Sequence, residues 1–278
     1  MTDQYAVFGH PIEHSWSPFI HGMFARQTGQ DMQYRKFDVA PAALAKEVKD
    51  FFARGGKGLN LTVPHKLAGL KIAGIATPRA TRAGAVNTLV AAADGGQIEG
   101  DNTDGAGLVR DLSGNLGIDL RNRRVLLCGA GGATRGVLAQ LLALEPRQLV
   151  IANRNIARAQ ELAGLFGDLG SVQGCSYEHL TDGPSFDLVI NATSAGLSGE
   201  IPPLPPAVLS LDTVCYDMSY SKSATPFGRW ATAAGCTEVH KGWGMLVEQA
   251  AESFHRWRGL RPDTDPVLAV LIEQNTSS

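Results

Sequence analysis

Apolar residues recur along the chain with two periods, and the switches between them outline the predicted elements. Tyr5-Ala-Val-Phe8 is a short apolar run ending in a Gly-His-Pro turn, the pattern of a buried first strand. Ser17-Pro18 opens a helix to about Gln27, with proline in the first turn, where its missing N–H has no intrahelical partner to lose. Gln33 to Val39 reads as the next strand. Leu44, Val48 and Phe51 share one face of a helix over Ala42 to Ala53, which Gly55-Gly56 ends. Leu59-Asn-Leu-Thr-Val63 alternates and stops at Pro64, predicting a strand with Asn60 and Thr62 on one face and Leu61 and Val63 on the other. Ala85 to Ala91 and Gln97 to Gly100 predict a hairpin around Asp94-Gly95-Gly96.

After Asp104 helix and strand alternate regularly: helix 105–113, strand 124–128, helix 133–144, strand 148–152, helix 155–166, then strands 186–190 and 213–218. That order predicts a parallel, doubly wound sheet with helices on both faces. Pro202-Pro-Leu-Pro-Pro206 is read as a surface connection, because sheet pattern resumes beyond it. A last helix, Met245 to about Trp257, carries Leu246, Val247, Ala250, Phe254 and Trp257 on one face and follows Gly242-Trp-Gly244, which is read as a hinge. The expected fold is α/β with two domains: an N-terminal α/β domain for substrate and catalysis over 1–104, completed by C-terminal helices over 245–278, and a Rossmann-type domain over 105–244. A ligand cleft is expected between them, at the carboxyl ends of the strands.

Composition narrows the function classes. In 278 residues there are 25 basic and 27 acidic side chains, a net charge of −2, so no polyanion-binding surface is indicated and neither nucleic acid nor membrane is an expected partner. The four cysteines, Cys128, Cys175, Cys215 and Cys236, form no C-x-x-C pair, which argues against a structural metal and fits free thiols in a reducing compartment. The first residues resemble a strand rather than a signal peptide, and no apolar run approaches membrane length, so a soluble cytoplasmic protein is expected.

The densest chemical signal is Val125-Leu-Leu-Cys-Gly-Ala-Gly-Gly-Ala-Thr-Arg-Gly136. An apolar strand runs into glycines that allow a tight turn and close approach to a pyrophosphate, whose charge would sit on the N-terminus of the next helix. Gly129 and Gly131 match the first two glycines of a dinucleotide fingerprint, whereas Thr134 holds the third place. Val150-Ile-Ala-Asn-Arg154 ends in an amide and a guanidinium where an NAD site usually carries an acid, which suits an adenosine 2′-phosphate. NADP(H) is therefore expected over NAD(H). Arg158, one helical turn on, could add a second guanidinium, or be a solvated surface charge.

Polar residues also gather at predicted strand ends and turns: Ser15, Ser17, Asn60, Thr62, His65, Lys66, Asn87, Thr88, Asn102, Thr103 and Asp104. Amides and hydroxyls of this kind can read a small polyol. Lys66 and Asp104 are the charged pair suited to moving a proton at a carbonyl or alcohol carbon, with a structural ion pair as the other reading. His65 is the rival acid or base, and Lys66 could equally begin a helix. His10 and His14 flank a turn with Glu13, but the spacing implies no third metal ligand.

These motifs together resemble the shikimate dehydrogenase family over almost the whole chain. The correspondence lies in Gly9-His-Pro-Ile-Glu-His-Ser-Trp-Ser-Pro18, Asn60-Leu-Thr-Val-Pro-His-Lys66, Gly84-Ala-Val-Asn-Thr88, Gly100-Asp-Asn-Thr-Asp-Gly105, the glycine loop, Asn191-Ala-Thr-Ser194, Tyr216-Asp-Met-Ser-Tyr220 and Gly242-Trp-Gly-Met-Leu-Val-Glu-Gln249. The resemblance implies reversible, NADP-dependent interconversion of 3-dehydroshikimate and shikimate in aromatic amino-acid biosynthesis, with Lys66 and Asp104 as the catalytic pair. It implies substrate contacts from Ser15, Ser17, Asn60, Thr62, Asn87, Tyr220 and Gln249. Cofactor contacts are implied from Gly129, Ala130, Gly131, Gly132, Ala133, Asn153, Arg154, Asn155, Arg158, Thr193, Met218 and Gly242, with no metal. A homodimer is a candidate assembly. Two positions depart from the family pattern: Asn155 follows Asn-Arg where threonine is common, and Trp16 stands between the two serines, either over the cleft mouth or packed outward. The competing readings are a relative that also oxidises quinate or prefers NAD, a non-catalytic binding module on the same fold, and a folate-type dehydrogenase.

Overall fold

A computed structural model describes residues 2–92 and 96–276. It divides into two compact units, one of Met1–Gly107 with Leu246–Ala269, the other of Leu108–Met245 with Val270–Ser278.

The first unit contains strands β1 (Asp3–Gly9), β2 (Met32–Asp38), β3 (Gly56–Leu61), β4 (Ile75–Ala76), β5 (Thr88–Val90) and β6 (Glu99–Asp101) in the order β2-β1-β3-β5-β6-β4. β1 lies parallel to β2 and β3, and β5 is antiparallel to β3 and β6. The antiparallel step is the expected hairpin; most of its turn, Asp94-Gly95, lies outside the described residues. β1 sits inside the sheet, so Tyr5, Ala6, Val7 and Phe8 are all buried, whereas the edge strand β2 is largely exposed and carries Arg35 and Lys36, charges that discourage edge pairing. The core is built on Ala6, Phe8, Val48, Leu59, Leu61, Val86 and Leu89.

One strand prediction is corrected. β3 ends at Leu61, and the His65 N–H donates to the Thr62 carbonyl at 2.7 Å, so the alternation stops before Val63. Val63 is consequently 47% exposed instead of sharing the buried face with Leu61. The chain then forms helix Lys66–Ile72, so Lys66 stands in a first helical turn. Helix Pro78–Ala83 was not foreseen because it is too short to show a period; Thr77 caps it by accepting from the Ala80 N–H.

The second unit is a six-stranded, wholly parallel sheet of β7 (Arg124–Cys128), β8 (Gln148–Ala152), β9 (Val172–Cys175), β10 (Leu188–Asn191), β11 (Val214–Asp217) and β12 (Glu238–Lys241), in the order β12-β11-β10-β7-β8-β9. Strand order reverses between β7 and β10, the switch point where doubly wound sheets bind ligands. Two apolar clusters of this unit draw on alternate residues of β7: one on Val125 and Leu127, the other on Leu126 and Cys128. β9 and β12 lacked a clear hydrophobic period, whereas helix Pro226–Ala233 carries Phe227, Trp230 and Ala231 on one face and was legible but not assigned. Gly174 in β9 has a packing reason, since a Cβ there would lie 2.3 Å from the Ala159 carbonyl carbon of helix Ile156–Phe166.

Gly242 and Gly244 also have packing reasons. Gly244 lies inside helix Trp243–Arg258, and a Cβ would fall 1.8 Å from the Asp111 carboxylate, which accepts from the Met245 N–H at 3.0 Å and the Tyr216 hydroxyl at 2.5 Å. A Cβ on Gly242 would meet the Met218 carbonyl oxygen at 2.5 Å. A buried carboxylate at Gly244 and a backbone carbonyl at Gly242 occupy the space that a side chain would need.

Candidate active site

In the first unit the Lys66 ammonium donates to Asp104 Oδ2 at 2.6 Å. Lys66 comes from the turn after β3, and Asp104 starts the helix that follows β6. The other carboxylate oxygen accepts from Asn87 Nδ2 at 2.8 Å, so Asp104 is held from two directions. Lys66 is 18% exposed and Asp104 4% exposed by side chain. Water screening is therefore weak at the acid, and the ammonium keeps donor capacity for a ligand.

Asn87 and Asn60 are more deeply committed than a direct hydroxyl-reading role requires. Asn87 Oδ1 accepts from the Thr103 N–H at 2.9 Å, and its amide reaches Thr103 Oγ1 at 2.9 Å as well as Asp104. Asn60 Nδ2 donates to the Asn87 carbonyl, Thr88 Oγ1 and Ser253 Oγ, while its Oδ1 accepts from the Tyr34 hydroxyl at 2.6 Å. Both amides are almost wholly buried. They tie β3, β5, the Thr103 loop and helix Trp243–Arg258 into one polar layer. A net stabilisation of about 1 kcal/mol per hydrogen bond makes such a layer a rigid support.

Gln249 closes this group, with Oε1 at 3.4 Å from Asn87 Nδ2 and Nε2 donating to the Leu246 carbonyl. Ser15 Oγ accepts from the Ser17 N–H at the start of helix Ser17–Thr28, and the Ser17 hydroxyl stands beside the Tyr34 phenol, which burial pushes well above its usual pKa. Thr62 is partly exposed in the turn ahead of Lys66. Trp16 packs edge-on against Phe19 with centroids 5.8 Å apart. His65 is buried, its Nε2 meets the Val39 carbonyl at 2.8 Å, and burial lowers its pKa; it is a packed ring, not a second acid or base at the surface of the site. Among the described residues no group of His, Cys, Asp and Glu could hold a metal ion.

In the second unit the glycine loop follows β7. Gly129 takes φ = +101°, a conformation that strongly favours glycine, and its N–H donates to the Ala152 carbonyl. Gly131 differs: its backbone is extended, and a Cβ there would meet nothing within 4 Å. No protein neighbour requires that glycine, so the space above it suits a ligand lying against the backbone. Gly132 and Ala133 open helix Gly132–Leu142, and Ala130 packs on the core. Thr134, in the third fingerprint position, is buried and donates to the Gly129 carbonyl at 2.8 Å, closing the turn.

Arg154 and Arg158 are both exposed near the start of helix Ile156–Phe166. Asn155 caps that helix, its Oδ1 accepting from the Ala157 and Arg158 N–H groups, and Asn153 Nδ2 donates to the Asn155 carbonyl. An N-cap is a role threonine also fills, which accounts for Asn155 at this position. Arg154 meets Glu200 at 3.1 Å, both side chains more than half exposed. Thr193, Met218 and Gly242 collect at the ends of β10, β11 and β12. The Thr193 hydroxyl donates to Asn191 Oδ1, the Met218 N–H donates to the Asn191 carbonyl, and the Gly242 N–H donates to the Ser219 carbonyl. Tyr220 lies with this second group, its ring 4.9 Å from Trp243 and its phenol pKa raised by burial.

Comparison with known proteins settles the family. Residues 7–89 match the shikimate dehydrogenase substrate binding domain, 111–198 match shikimate / quinate 5-dehydrogenase, and 242–272 match the shikimate 5'-dehydrogenase C-terminal domain. A shikimate dehydrogenase (NADP(+)) from Alkalilimnicola ehrlichii is 56% identical over 98% of this chain and 99% of its own length. The chain belongs to the shikimate dehydrogenase family. Among solved structures, an Ael1 enzyme from Pseudomonas putida aligns with TM-score 0.89 and 46% identity, covering 97% of this chain and 98% of that one. The shikimate 5-dehydrogenase from Thermus thermophilus, solved with NADP(H) and shikimate, aligns with TM-score 0.85 and 33% identity over 98% and 99% of the two chains.

Several residues of this shikimate dehydrogenase site carried no readable motif. Tyr34 stands in the edge strand β2, yet it orients Asn60; Ser253 reaches Thr88 and Asn60 from a helix nearly two hundred residues away in sequence. Only the single turn-by-turn spacing from Gln249 to Ser253 could have flagged the latter as facing the same way.

Proposed function

We propose that Lys66 and Asp104 form the acid–base pair of this NADP-dependent shikimate dehydrogenase, which reversibly reduces 3-dehydroshikimate to shikimate. The observation that carries the reading is the Lys66–Asp104 contact at 2.6 Å, fixed from the other side by Asn87. NADP(H), when bound, supplies or accepts the hydride. In the reducing direction Lys66 Nζ donates a proton to the substrate's carbonyl oxygen as it gains negative charge, and Asp104 holds the ammonium in line. In the oxidising direction the same nitrogen receives the hydroxyl proton. Ser15, Ser17, Thr62 and Gln249 present the polar groups for the substrate's carboxylate and hydroxyls, with Asn60 and Asn87 holding and completing that set, and the family resemblance assigns Tyr220 to the substrate as well.

The residues of the second unit fit an NADP molecule. The open space at Gly131 and the helix N-terminus at Gly132 suit the pyrophosphate, and two exposed guanidiniums, Arg154 and Arg158, suit the 2′-phosphate. Thr193, Met218 and Gly242 are assigned to the nicotinamide end. No helix among the described residues is long and apolar enough to cross a membrane. Four free cysteines, three of them buried, support placing the enzyme in the reducing cytoplasm.

Initial rates with shikimate or quinate, each paired with NADP⁺ or NAD⁺, test the assignment. Turnover concentrated in the shikimate and NADP⁺ pairing is expected; a preference for quinate or NAD⁺ would move the chain to broader relatives, and no turnover in any pairing would sink the enzymatic reading. Arg154 supplies a second test with two signs. Arg154→Ala is expected to raise the NADP⁺ KM by about 10-fold or more with little change for NAD⁺, the scale of a charge-assisted hydrogen bond. Glu200→Gln frees Arg154 from a competing carboxylate and is expected to lower the NADP⁺ KM by up to about 5-fold, the ceiling for an exposed ion pair. Equal effects on both cofactors would defeat the 2′-phosphate role.

A further inference from the structure

We propose that Arg79 is a positioning residue for Asp104, acting through Asp101 and Asn102. Arg79 lies outside every motif that identified the site, in the short helix Pro78–Ala83. Its guanidinium forks onto Asp101, with Nε to Oδ1 and Nη2 to Oδ2 both at 2.6 Å. Thr77 donates to Oδ1 at 2.7 Å, and Arg256 Nε stands 3.1 Å from Oδ2. Asp101 is 1% exposed. Burial pushes its carboxyl upward in pKa, and the Arg79 fork with Thr77 outweighs this and holds it below the usual carboxylate range.

From this anchor the chain runs directly into the catalytic segment. Asp101 Oδ1 accepts the Asn102 N–H at 2.7 Å. The Asn102 side chain is fixed by donating to the Ala85 carbonyl at 2.9 Å, and its Oδ1 accepts the Asp104 N–H at 3.2 Å. Thr103 is held by Asn87. Every residue from Asp101 to Asp104 is thus pinned, and the first pin is the Arg79 fork. The same guanidinium uses Nη1 to reach Glu252 at 3.0 Å, and Arg261 joins Glu252 to Glu248. Gln249 sits on that helix between the two acids. One arginine therefore braces both the segment that aims Asp104 and the helix that presents Gln249.

A planar fork suits this task because it fixes the carboxylate in angle as well as distance, which a lysine cannot. Apolar replacement of a whole buried ion pair is often neutral for stability, whereas removal of one partner strands a charge. The informative variant is therefore the double substitution Arg79→Met with Asp101→Leu, accompanied by Arg79→Lys, which keeps the charge and loses the fork.

The inference rests on the acid–base reading of Asp104, so the experiment is a cycle in two backgrounds, wild type and Asp104→Asn. In the wild-type background the double variant is expected to lower kcat by about 10- to 100-fold, the scale for small misplacement of reacting groups, with the NADP⁺ KM little changed. Its kcat is measured well below a melting temperature that falls because Thr77, Asn102 and Arg256 lose Asp101 as a partner. Arg79→Lys is expected to recover part of the loss. In the Asp104→Asn background the same substitutions are expected to cost kcat nothing further, because the group they aim is gone, while any effect carried through the Gln249 helix shows in the shikimate KM in both backgrounds. An unchanged kcat in the wild-type background, or an equal loss in both, overturns the proposal. Full turnover in Asp104→Asn alone would instead refute the acid–base reading, and the positioning role with it.

Discussion

Lys66→Ala is expected to lower kcat by about 10²- to 10⁴-fold, the range contributed by a positioned general acid or base, while the shikimate KM changes only a few-fold. The split follows from where the interaction is made. In the proposed role the Lys66 proton moves only as charge develops on the substrate oxygen, so its loss is expected to be felt in the transition state far more than in binding. The fold should survive the change. Asp104 keeps the hydrogen bond that Asn87 Nδ2 donates to its Oδ1, so the carboxylate retains one donor when its ammonium partner is removed, and a melting curve of the variant reads the cost of that loss separately from the kinetics. Steady-state kinetics in both directions give the measurement. Near-normal turnover would remove Lys66 from the mechanism, and a proportional rise in KM with unchanged kcat would reduce it to a binding residue.

His21→Phe is expected to abolish a large acid-induced loss of stability. His21 is completely buried, stacked on Tyr34 with centroids 4.2 Å apart and planes 9° from parallel, and flanked by Phe24, Phe254 and Trp257. Neither buried ring nitrogen makes a hydrogen bond of good geometry, and the Asn60 side chain, which favours the charged ring, offsets the burial only in part. Burial therefore disfavours the charged ring and lowers its pKa to about 3. An unfolded histidine titrates near 6.5, so below that pH the unfolded chain binds a proton that the folded chain refuses. The stability associated with the neutral ring is complete above about pH 6.5 and is lost progressively as pH falls towards 3, reaching about 5 kcal/mol at the lower end on 1.36 kcal/mol per pH unit. Phenylalanine fills nearly the same aromatic space without a titrating group. Urea midpoints of the two proteins should run together above pH 7 and diverge below 6, with the wild type falling faster. Parallel curves down to pH 4 would show that His21 is accommodated in its charged form.

What could be read along the chain depended on how local the cause was. Lys66, Asp104 and the glycine loop were legible because each sits where a strand ends, and strand ends leave a local trace in apolar runs, prolines and glycines. The α/β alternation after Asp104 was legible for the same reason, and the second unit's parallel sheet follows it. Val63 was misplaced because alternation was extended beyond the last strand residue, and a turn closed by the His65 N–H has no periodic signature. The short helix carrying Arg79 and the polar strand β9 were invisible for want of a period.

By itself the sequence determined the doubly wound pattern, the dinucleotide loop, the Asn153-Arg154 pair at the end of its second strand, and the residue types able to read a polyol. These are consequences of period, backbone freedom and side-chain chemistry, all of which act over a few residues. Only the tertiary structure decided that Asn60 and Asn87 spend their amides inside the protein, that Tyr34 and Ser253 support them, that Arg79 anchors the segment leading to Asp104, and that Gly244 is needed to clear a carboxylate. Each of these joins side chains from elements distant in sequence. A buried polar atom must find its partner wherever folding brings one within about 3 Å, and that distance is set by how the elements pack, not by the residues that flank it.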